Sequence, residues 1–278
     1  MVQKKQRFVA TSAESESIGE REVTVGSVWA SNSYGCFTVL EFKHSKDVTV
    51  AFKSTGYKVS VTSDAVRTGL VKDRLSPTVN GVGFIGSGKF YAKSGGVETG
   101  EYKAWRNMLE RCYSGDYQSR HPSYIGCSVC SDWHNYQNFA EWYNANHPRD
   151  GKRYQIDKDI SIPGNKVYSP EGCLFVSRDV NAFTMDRGAM RGRFMIGASL
   201  NKRSGRFIAN CRNSFSKKGE HIGCFGSELE AHLAWRDRKS ELAYELAMIQ
   251  DRDEVKRALL RWKLALDNFE IHKIDGIK

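Results

Sequence analysis

The chain has 278 residues and a formal net charge of +10, from 42 lysines and arginines against 32 aspartates and glutamates. An apolar share of 40% is enough to form packed cores, which excludes a wholly disordered chain. No stretch approaches the roughly 20 apolar residues that cross a bilayer, and the first residues lack the apolar run of a secretion signal. The 7 cysteines, an odd number spread along the chain, favour a reducing compartment over a disulfide framework. These features predict a cytoplasmic protein that does not enter a membrane.

The first hundred residues predict a flexible arm, a β domain and a connector. Residues 1–21 are polar, as in an unstructured arm. Within residues 22–74, short runs rich in Val, Phe and Thr alternate with turn residues, which predicts a small β domain. Its predicted strands are Val23–Trp29, Gly35–Phe42, Val48–Phe52 and Tyr57–Val61, with a turn or short helix at 63–68. Residues 75–100, rich in glycine, predict a connector.

Residues 101–186 predict a middle domain that begins with two helices. In Glu101–Cys112 apolar side chains recur at helical spacing, and Arg111 is among the residues expected to face solvent. Asp132–Asn144 predicts a second helix, whose aromatic stripe is more typical of a core than of a base-stacking surface.

A strand, a loop, a second strand and a helix are predicted to complete the middle domain. The predicted strands are Tyr154–Ile160 and Cys173–Val176, joined by a loop at 161–171. Ser177 is the predicted N-cap of the helix, which runs through Asn181.

Nearly all of the net positive charge lies in one segment. Nine residues between positions 187 and 219 are basic and none is acidic. The basic residues are Arg187, Arg191, Arg193, Lys202, Arg203, Arg206, Arg212, Lys217 and Lys218, and those from Arg191 onward are the predicted binding residues. Phosphate neutralisation with counterion release requires such a concentration of cations, so DNA or an acidic protein surface is the predicted partner. A solvated basic face is the alternative.

The C-terminal part predicts a basic sheet-and-helix domain at 187–249 and a last helix within 250–278. Alternating apolar residues in Phe207–Cys211 and His221–Phe225 predict a two- or three-stranded sheet, and Ser227 is the predicted cap of a long helix. Together these elements predict an α+β fold: a small β domain, a ββα middle domain, and a small C-terminal sheet with long helices.

Several phrases between residues 22 and 185 resemble a tailed-phage family described as HNH homing-endonuclease-like. They are Val25-Gly-Ser-Val-Trp29, Thr55-Gly-Tyr57, Gly81-Val-Gly-Phe-Ile-Gly86, Trp105-x-x-Met-x-x-Arg-Cys-Tyr113, Tyr154-Gln-Ile-Asp-Lys-Asp159 and Gly164-Asn-Lys-Val-Tyr-Ser-Pro-Glu171. Gly205–Glu245 resembles an Apetala-2-type domain, in which a helix braces a three-stranded sheet that lays Arg and aromatic side chains into the major groove. The resemblance implies phage origin, the cytoplasm of an infected bacterial host, and contact with DNA.

The HNH resemblance also implies a metal centre. In such a ββα-metal unit a histidine activates water, and a divalent ion such as Mg²⁺ stabilises charge on the phosphate. Carried over, Asp157 and Asn181 are the metal ligands and Asn165 lies near the loop asparagine, while Lys158 takes the position of the general base. A lysine of pKa about 10.4 stays charged between two acids. The centre is therefore either a feeble, degenerate nuclease or a structural remnant, and catalysis is left open.

The segment Cys127-x-x-Cys130, with His134 and with Cys112 or His121 as a further candidate, has the ligand types of a structural zinc site. A genuine site usually shows a second paired motif, whereas Cys173 is single. The cysteines therefore fit small buried hydrophobes better than zinc ligands.

Three functions are consistent with these features. The first is a phage DNA-binding protein that cuts or nicks DNA with Mg²⁺. The second is a non-catalytic inhibitor that binds a host defence complex acting on DNA, as a monomer or a homo-oligomer. The third is an accessory DNA-binding protein without enzymatic activity.

Overall fold

The computed structural model describes residues 22–184 and 193–270. The predicted arm at 1–21, Arg187, Arg191 and the last eight residues lie outside the described residues. The chain divides after Gly88 into two compact units. Helices and several small sheets occur together, which is compatible with the predicted α+β class. No helix in the described parts of the chain is long and apolar enough to cross a membrane.

The first unit is a four-stranded antiparallel sheet in the order β1-β2-β3-β4, followed by a short helix. Its elements are β1 Val28–Ser31, β2 Gly35–His44, β3 Asp47–Phe52, β4 Lys58–Val61 and α1 Ser63–Arg67. Inward side chains such as Phe37, Val50 and Phe52 form its core. The first strand begins five residues later than predicted because Gly26 adopts a positive φ of 86° in a turn.

The second unit opens with a short hairpin and a group of helices. The elements are β5 Lys93–Ser94, β6 Val97–Glu98, α2 Gly100–Tyr113, α3 Gly115–Arg120, β7 Ser128–Val129 and α4 Tyr136–Asn146. The helix predicted at 132–144 is divided, because the side chain of Asn135 accepts a hydrogen bond from the Gln137 amide and caps α4. A 3-10 turn at Ser131–His134 precedes that cap. The aromatic stripe is core as predicted, with Trp133 and Phe139 buried.

A strand–loop–strand–helix unit follows, in the order that the sequence predicts. Its elements are β8 Tyr154–Asp157, β9 Val167–Tyr168, β10 Leu174–Ser177 and α5 Arg178–Thr184. β8 and β10 pair antiparallel, and the Ser177 hydroxyl accepts a hydrogen bond from the Val180 amide, as expected of an N-cap. β9 lies in the loop and pairs with β7 in parallel.

The C-terminal part is a three-stranded sheet packed on a long helix. Its elements are β11 Ala198–Leu200, β12 Phe207–Arg212, β13 Gly219–Phe225, α6 Glu228–Met248 and α7 Asp253–Asp267. Ser227 caps α6 in a reciprocal capping box with Glu230. One hydrophobic core joins Val180 and Phe183 of α5 to side chains of α6 and α7. The segments predicted as separate domains from residue 101 onward therefore belong to one compact unit.

Candidate functional site

The ββα unit places Asp157 at the end of β8, where it is 5% exposed. Its Oδ1 accepts hydrogen bonds from the backbone amides of Asp159 and Ile160, each at 2.9 Å. Burial, together with the neighbouring carboxylate of Asp159, raises the pKa of Asp157 to about 7. Near neutral pH the two carboxyl groups therefore share a proton, because two adjacent carboxylate charges repel each other and the Asp157 group is buried.

Lys158 is held by its neighbour rather than free to act as a base. Its Nζ lies 3.1 Å from Oδ2 of Asp159, and the side chain is 9% exposed. Burial alone would lower the pKa of Lys158, but the negative charge of Asp159 outweighs burial and raises it. The ammonium also lies 5.8 Å from the centre of the Tyr168 ring. Lys158 thus stays protonated at neutral pH, and an ammonium cannot accept a proton from water.

Asn165 fastens the loop between the two strands. Its Nδ2 donates to the carbonyl of Lys158 at 2.7 Å and to that of Val167 at 2.9 Å. Its Oδ1 accepts a hydrogen bond from the Val167 amide at 3.0 Å. Asn165 therefore sets the backbone at the position that the family resemblance assigns to the general base.

Asn181 lies on α5 and donates a hydrogen bond to Oε1 of Gln155 on β8. Residues two apart on a strand share a face, so Asn181 and Asp157 lie on the same side of the hairpin. Within the described residues, no three His, Cys, Asp or Glu side chains form a group that could hold a metal ion. Oδ1 of Asp157 accepts two amides and Nδ2 of Asn181 donates to Gln155, so Oδ2 of Asp157 and Oδ1 of Asn181 are the atoms that would hold Mg²⁺, and the magnesium centre stays a prediction.

The predicted zinc residues lie along the turn that contains β7. Burial raises the pKa of the Cys130 thiol. Cys127 is buried, as expected of a small apolar side chain. His134 instead shares a hydrogen bond of 3.2 Å between its Nε2 and the hydroxyl of Tyr113.

The C-terminal sheet has one face on α6 and one face in solvent. Ala209 and Cys211 are buried against the helix side, while Asn210 and Arg212 alternate with them and are exposed. The outward face carries Ser199, Ile208, Asn210, Arg212, His221 and Cys224. The Apetala-2 resemblance implies aromatic side chains on this face, but Phe207 and Phe225 pack inward with Ala231. The aromatic part of that expectation is therefore wrong.

The basic residues of the segment surround the outward face. Those in the described chain are all exposed, namely Arg193, Lys202, Arg203, Arg206, Arg212, Lys217 and Lys218. Lys202 and Arg203 lie in the hairpin between β11 and β12, and Lys217 and Lys218 lie in the hairpin at the opposite end of β12. Lys217 also pairs with Asp179 of α5, at 2.7 Å. Arg206 donates to the backbone carbonyl of Cys224 at 2.7 Å, which directs it along the edge of the sheet.

Glu220, the acidic residue that follows the basic segment, lies on the side of the sheet that faces α6. Glu220 accepts hydrogen bonds from Arg238 of α6 at 2.8 Å and from Asn213 at 2.6 Å. These contacts lower the pKa of Glu220 and keep its charge on the helix side. The outward face is thus electropositive from one hairpin to the other, over roughly 20 Å at about 3.3 Å per residue.

Arg111 was expected to face solvent, but it lines a cavity of about 160 Å³ between α2 and the ββα unit. The cavity is also lined by Asn107, Tyr154, Gln155 and Tyr168. The helical spacing of the sequence indicates this placement, because Arg111 lies seven residues after Ala104 and therefore on the same side of α2. The charge of the side chain hid that signal.

No protein-family model, curated protein or solved structure matches this chain.

Proposed function

We propose that this protein binds duplex DNA through the outward face of its C-terminal sheet. The observation that carries the proposal is the exposed Arg212 at the end of β12 together with the exposed cations at both of its hairpins, with Glu220 held on the opposite side. A β-ribbon or sheet of this width enters the major groove, which is about 12 Å wide. Cations at the two ends lie where the phosphates that border the groove would be, and Asn210, Arg212 and His221 face the bases.

The phage family resemblance agrees with this function, and the state of the ββα unit favours a role without strand cleavage. Lys158 is protonated and tied to Asp159, and Asp157 is tied to two amides. A plasmid-nicking assay with Mg²⁺ or Mn²⁺ tests this point. Nicking by the wild-type chain that is lost in Asp157→Ala would assign the activity to the ββα unit and overturn the non-catalytic interpretation.

The first prediction concerns Arg203, Arg206 and Arg212. Changing all three to Gln is expected to weaken DNA binding and to reduce the slope of log affinity against log salt by about 0.9 for each phosphate that the variant no longer neutralises. Fluorescence anisotropy with a labelled duplex between low and physiological salt measures both quantities. Lys103, Arg257 and Arg261 changed to Gln are the matched control, since they remove equal charge from exposed positions on α2 and α7.

An unchanged affinity in the sheet variant, or an equal drop in affinity in the control variant, would move the DNA-binding surface away from the sheet. A wild-type affinity that does not depend on salt would remove the electrostatic argument altogether.

The second candidate function is inhibition of a host defence complex that acts on DNA, through the same basic face. The observation that favours it is the protonated lysine at the base position of an otherwise ordered ββα unit. A stable protein complex usually buries about 1,200–2,000 Å² of surface, which requires more of the chain than the sheet alone. A pull-down from lysate of a defended bacterial host, run with and without nuclease treatment, separates a protein partner from one bridged by DNA.

A further inference from the structure

Arg111 lines the cavity between α2 and the ββα unit, and no acidic residue lies among the described residues that line this cavity. Arg111 lines it together with Asn107 from the same helix and Gln155 from β8. Arg111 is half-buried, and a guanidinium that is partly withdrawn from water is stabilised by a hydrogen-bonded anion.

Two tyrosines interact with Arg111. The ring centre of Tyr124 lies 5.7 Å from the guanidinium carbon, and the hydroxyl of Tyr168 is within hydrogen-bonding reach. Burial raises the pKa of both phenols, and the positive charge of Arg111 offsets burial only in part. Both tyrosines therefore stay protonated at neutral pH, and neither balances the charge of Arg111.

The residues that line the cavity carry several hydrogen-bond donors. A guanidinium presents five N–H groups in a planar fork, and the side-chain amides of Asn107 and Gln155 add further N–H groups. Gln155 uses its Oε1 as the acceptor for Asn181, which turns the NH₂ group of Gln155 away from that contact. Such a set of donors around one fixed cation matches the oxygens of a phosphate better than a neutral ligand.

The size of the cavity limits what it can hold. A volume of about 160 Å³ is below the roughly 300–1,000 Å³ of sites that enclose a drug-sized ligand. The cavity therefore suits one small anionic group rather than a complete nucleotide, and the aromatic side chains of Tyr143 and Phe175 lie at the same wall.

We propose that this cavity is a phosphate-binding site, separate from the DNA-binding sheet, in which Arg111 is the anion-binding residue and Asn107 and Gln155 orient the oxygens. The phosphate comes either from a nucleic-acid strand or from free phosphate in solution. This site does not depend on the outward face of the C-terminal sheet, so the two proposals stand or fall separately.

The test uses the full-length chain and inorganic phosphate as the probe, with isothermal titration calorimetry at constant ionic strength. We expect saturable binding by the wild type and a loss of affinity of about tenfold or more in Arg111→Met, because a charged hydrogen-bonded group is removed. Arg106→Met is the matched control, since Arg106 lies on the same helix but pairs with Glu98 at 3.1 Å. The triple substitution at Arg203, Arg206 and Arg212 is expected to leave phosphate binding unchanged.

Two further experiments identify the source of the phosphate and control for misfolding of the variant. A short single strand with a 5′-phosphate, the same strand without it, and free phosphate are compared as competitors, which distinguishes a strand end, an internal phosphate and the free ion. Should Arg111→Met unfold by circular dichroism, Asn107→Leu retains the arginine and is expected to lower affinity about fivefold. Absence of phosphate binding in the wild type, equal binding by folded variants, or equal affinity for acetate would each overturn the proposal.

Discussion

At the scale of single residues, Asp157 shows how one buried carboxyl group organises the backbone around it. Its Oδ1 holds the amides of Asp159 and Ile160, and its pKa is raised to about 7 by burial and by the carboxylate of Asp159. Between about pH 4 and pH 7 the folded state therefore holds more protons than the unfolded state. Asp157 makes the protein less stable as the pH rises through this range.

The prediction from this arrangement compares two substitutions. Asp157→Asn keeps an oxygen for both amides and has no proton to lose, so the stability of the wild type should fall relative to this variant between pH 4 and pH 7. Asp157→Ala leaves two buried amides without an acceptor, and should be less stable than Asp157→Asn by about 2–4 kcal/mol. Urea unfolding at pH 5 and pH 8 measures both effects. Equal stability of the Ala and Asn variants would show that the amides do not depend on this carboxylate.

The surroundings of a residue can be predicted from the sequence when its partners are close to it in the chain. Lys158 was expected to be held by adjacent acids, and its partner Asp159 is the next residue. The solvent-facing assignment of Arg111 was wrong because its surroundings come from β8 and β9, more than forty residues later in the chain. A helical wheel ranks a charged residue as exposed unless a distant segment covers it.

At the scale of the elements, α6 is the scaffold on which the sheet and the neighbouring helices pack. Lys239 of α6 donates to the carbonyl of Phe183 on α5 at 2.7 Å, and its ammonium lies 3.6 Å from the centre of the Phe183 ring. Burial lowers the pKa of Lys239 from 10.5 to about 8. The helix contact therefore contains a lysine that is charged in the folded state at neutral pH and loses its proton at a lower pH than in the unfolded chain.

The third prediction follows from the sign of that pKa difference. Between about pH 8 and pH 10.5 the unfolded state holds the Lys239 proton and the folded state does not. Because the unfolded state binds more protons in this range, the contribution of Lys239 to the free energy of unfolding rises with pH until the unfolded state also titrates. Below pH 8 both states are protonated, and the buried charge is destabilising by about 3 kcal/mol relative to a neutral side chain.

The measurement compares Lys239→Met with the wild type. Lys239→Met should be more stable than the wild type at pH 7, because the variant has no buried charge. This difference in the free energy of unfolding should shrink by about 2 kcal/mol between pH 8 and pH 10, because the wild-type amine becomes neutral. Thermal and urea unfolding at pH 7, 8, 9 and 10 provide the comparison, because other groups titrate equally in both proteins. Lys103→Met, at an exposed position, is the control. An advantage of Lys239→Met that stays constant over this pH range would show that the ammonium is solvated in the folded state.

The elements themselves were predictable where capping and periodicity agree. Ser227 marks the start of α6 by a local capping box, and alternating residues mark β3 and β12. The division of the helix at 132–144 was missed because the aromatic residues keep helical spacing across Asn135. At this position the hydrogen bond from the Gln137 amide to the Asn135 side chain starts a new helix, although the periodic pattern continues through it.

At the scale of the whole molecule, the two compact units differ in which segments form their hydrophobic cores. Residues 22–88 contain their own core, including Phe37, Val50 and Phe52. The ββα unit shares its core with α6 and α7 through Val180 and Phe183. The basic C-terminal segment and the ββα unit are thus joined energetically, although their sequences suggest separate domains.

The corresponding prediction uses three fragments. Residues 22–88 should show a cooperative thermal transition by circular dichroism, although a unit of about 60 residues is only marginally stable. Residues 89–278 should keep salt-dependent DNA binding. Residues 101–186 should not fold alone, because Val180 and Phe183 would be left exposed. A cooperative transition in this last fragment would contradict the shared core.

The loop that Asn165 fastens also has a consequence for the order of folding. β8 and β10 enclose residues 158–173, and this loop is held by Asn165 and by parallel pairing of β9 with β7, nearly forty residues earlier. The entropy lost in closing such a loop is recovered only when its distant contacts form, whereas the hairpin of β2 and β3 closes at once around a short turn. We therefore expect the ββα hairpin to form late in folding, and we expect its amide hydrogens to exchange with solvent sooner than those of the helices around it, which native-state hydrogen exchange measures.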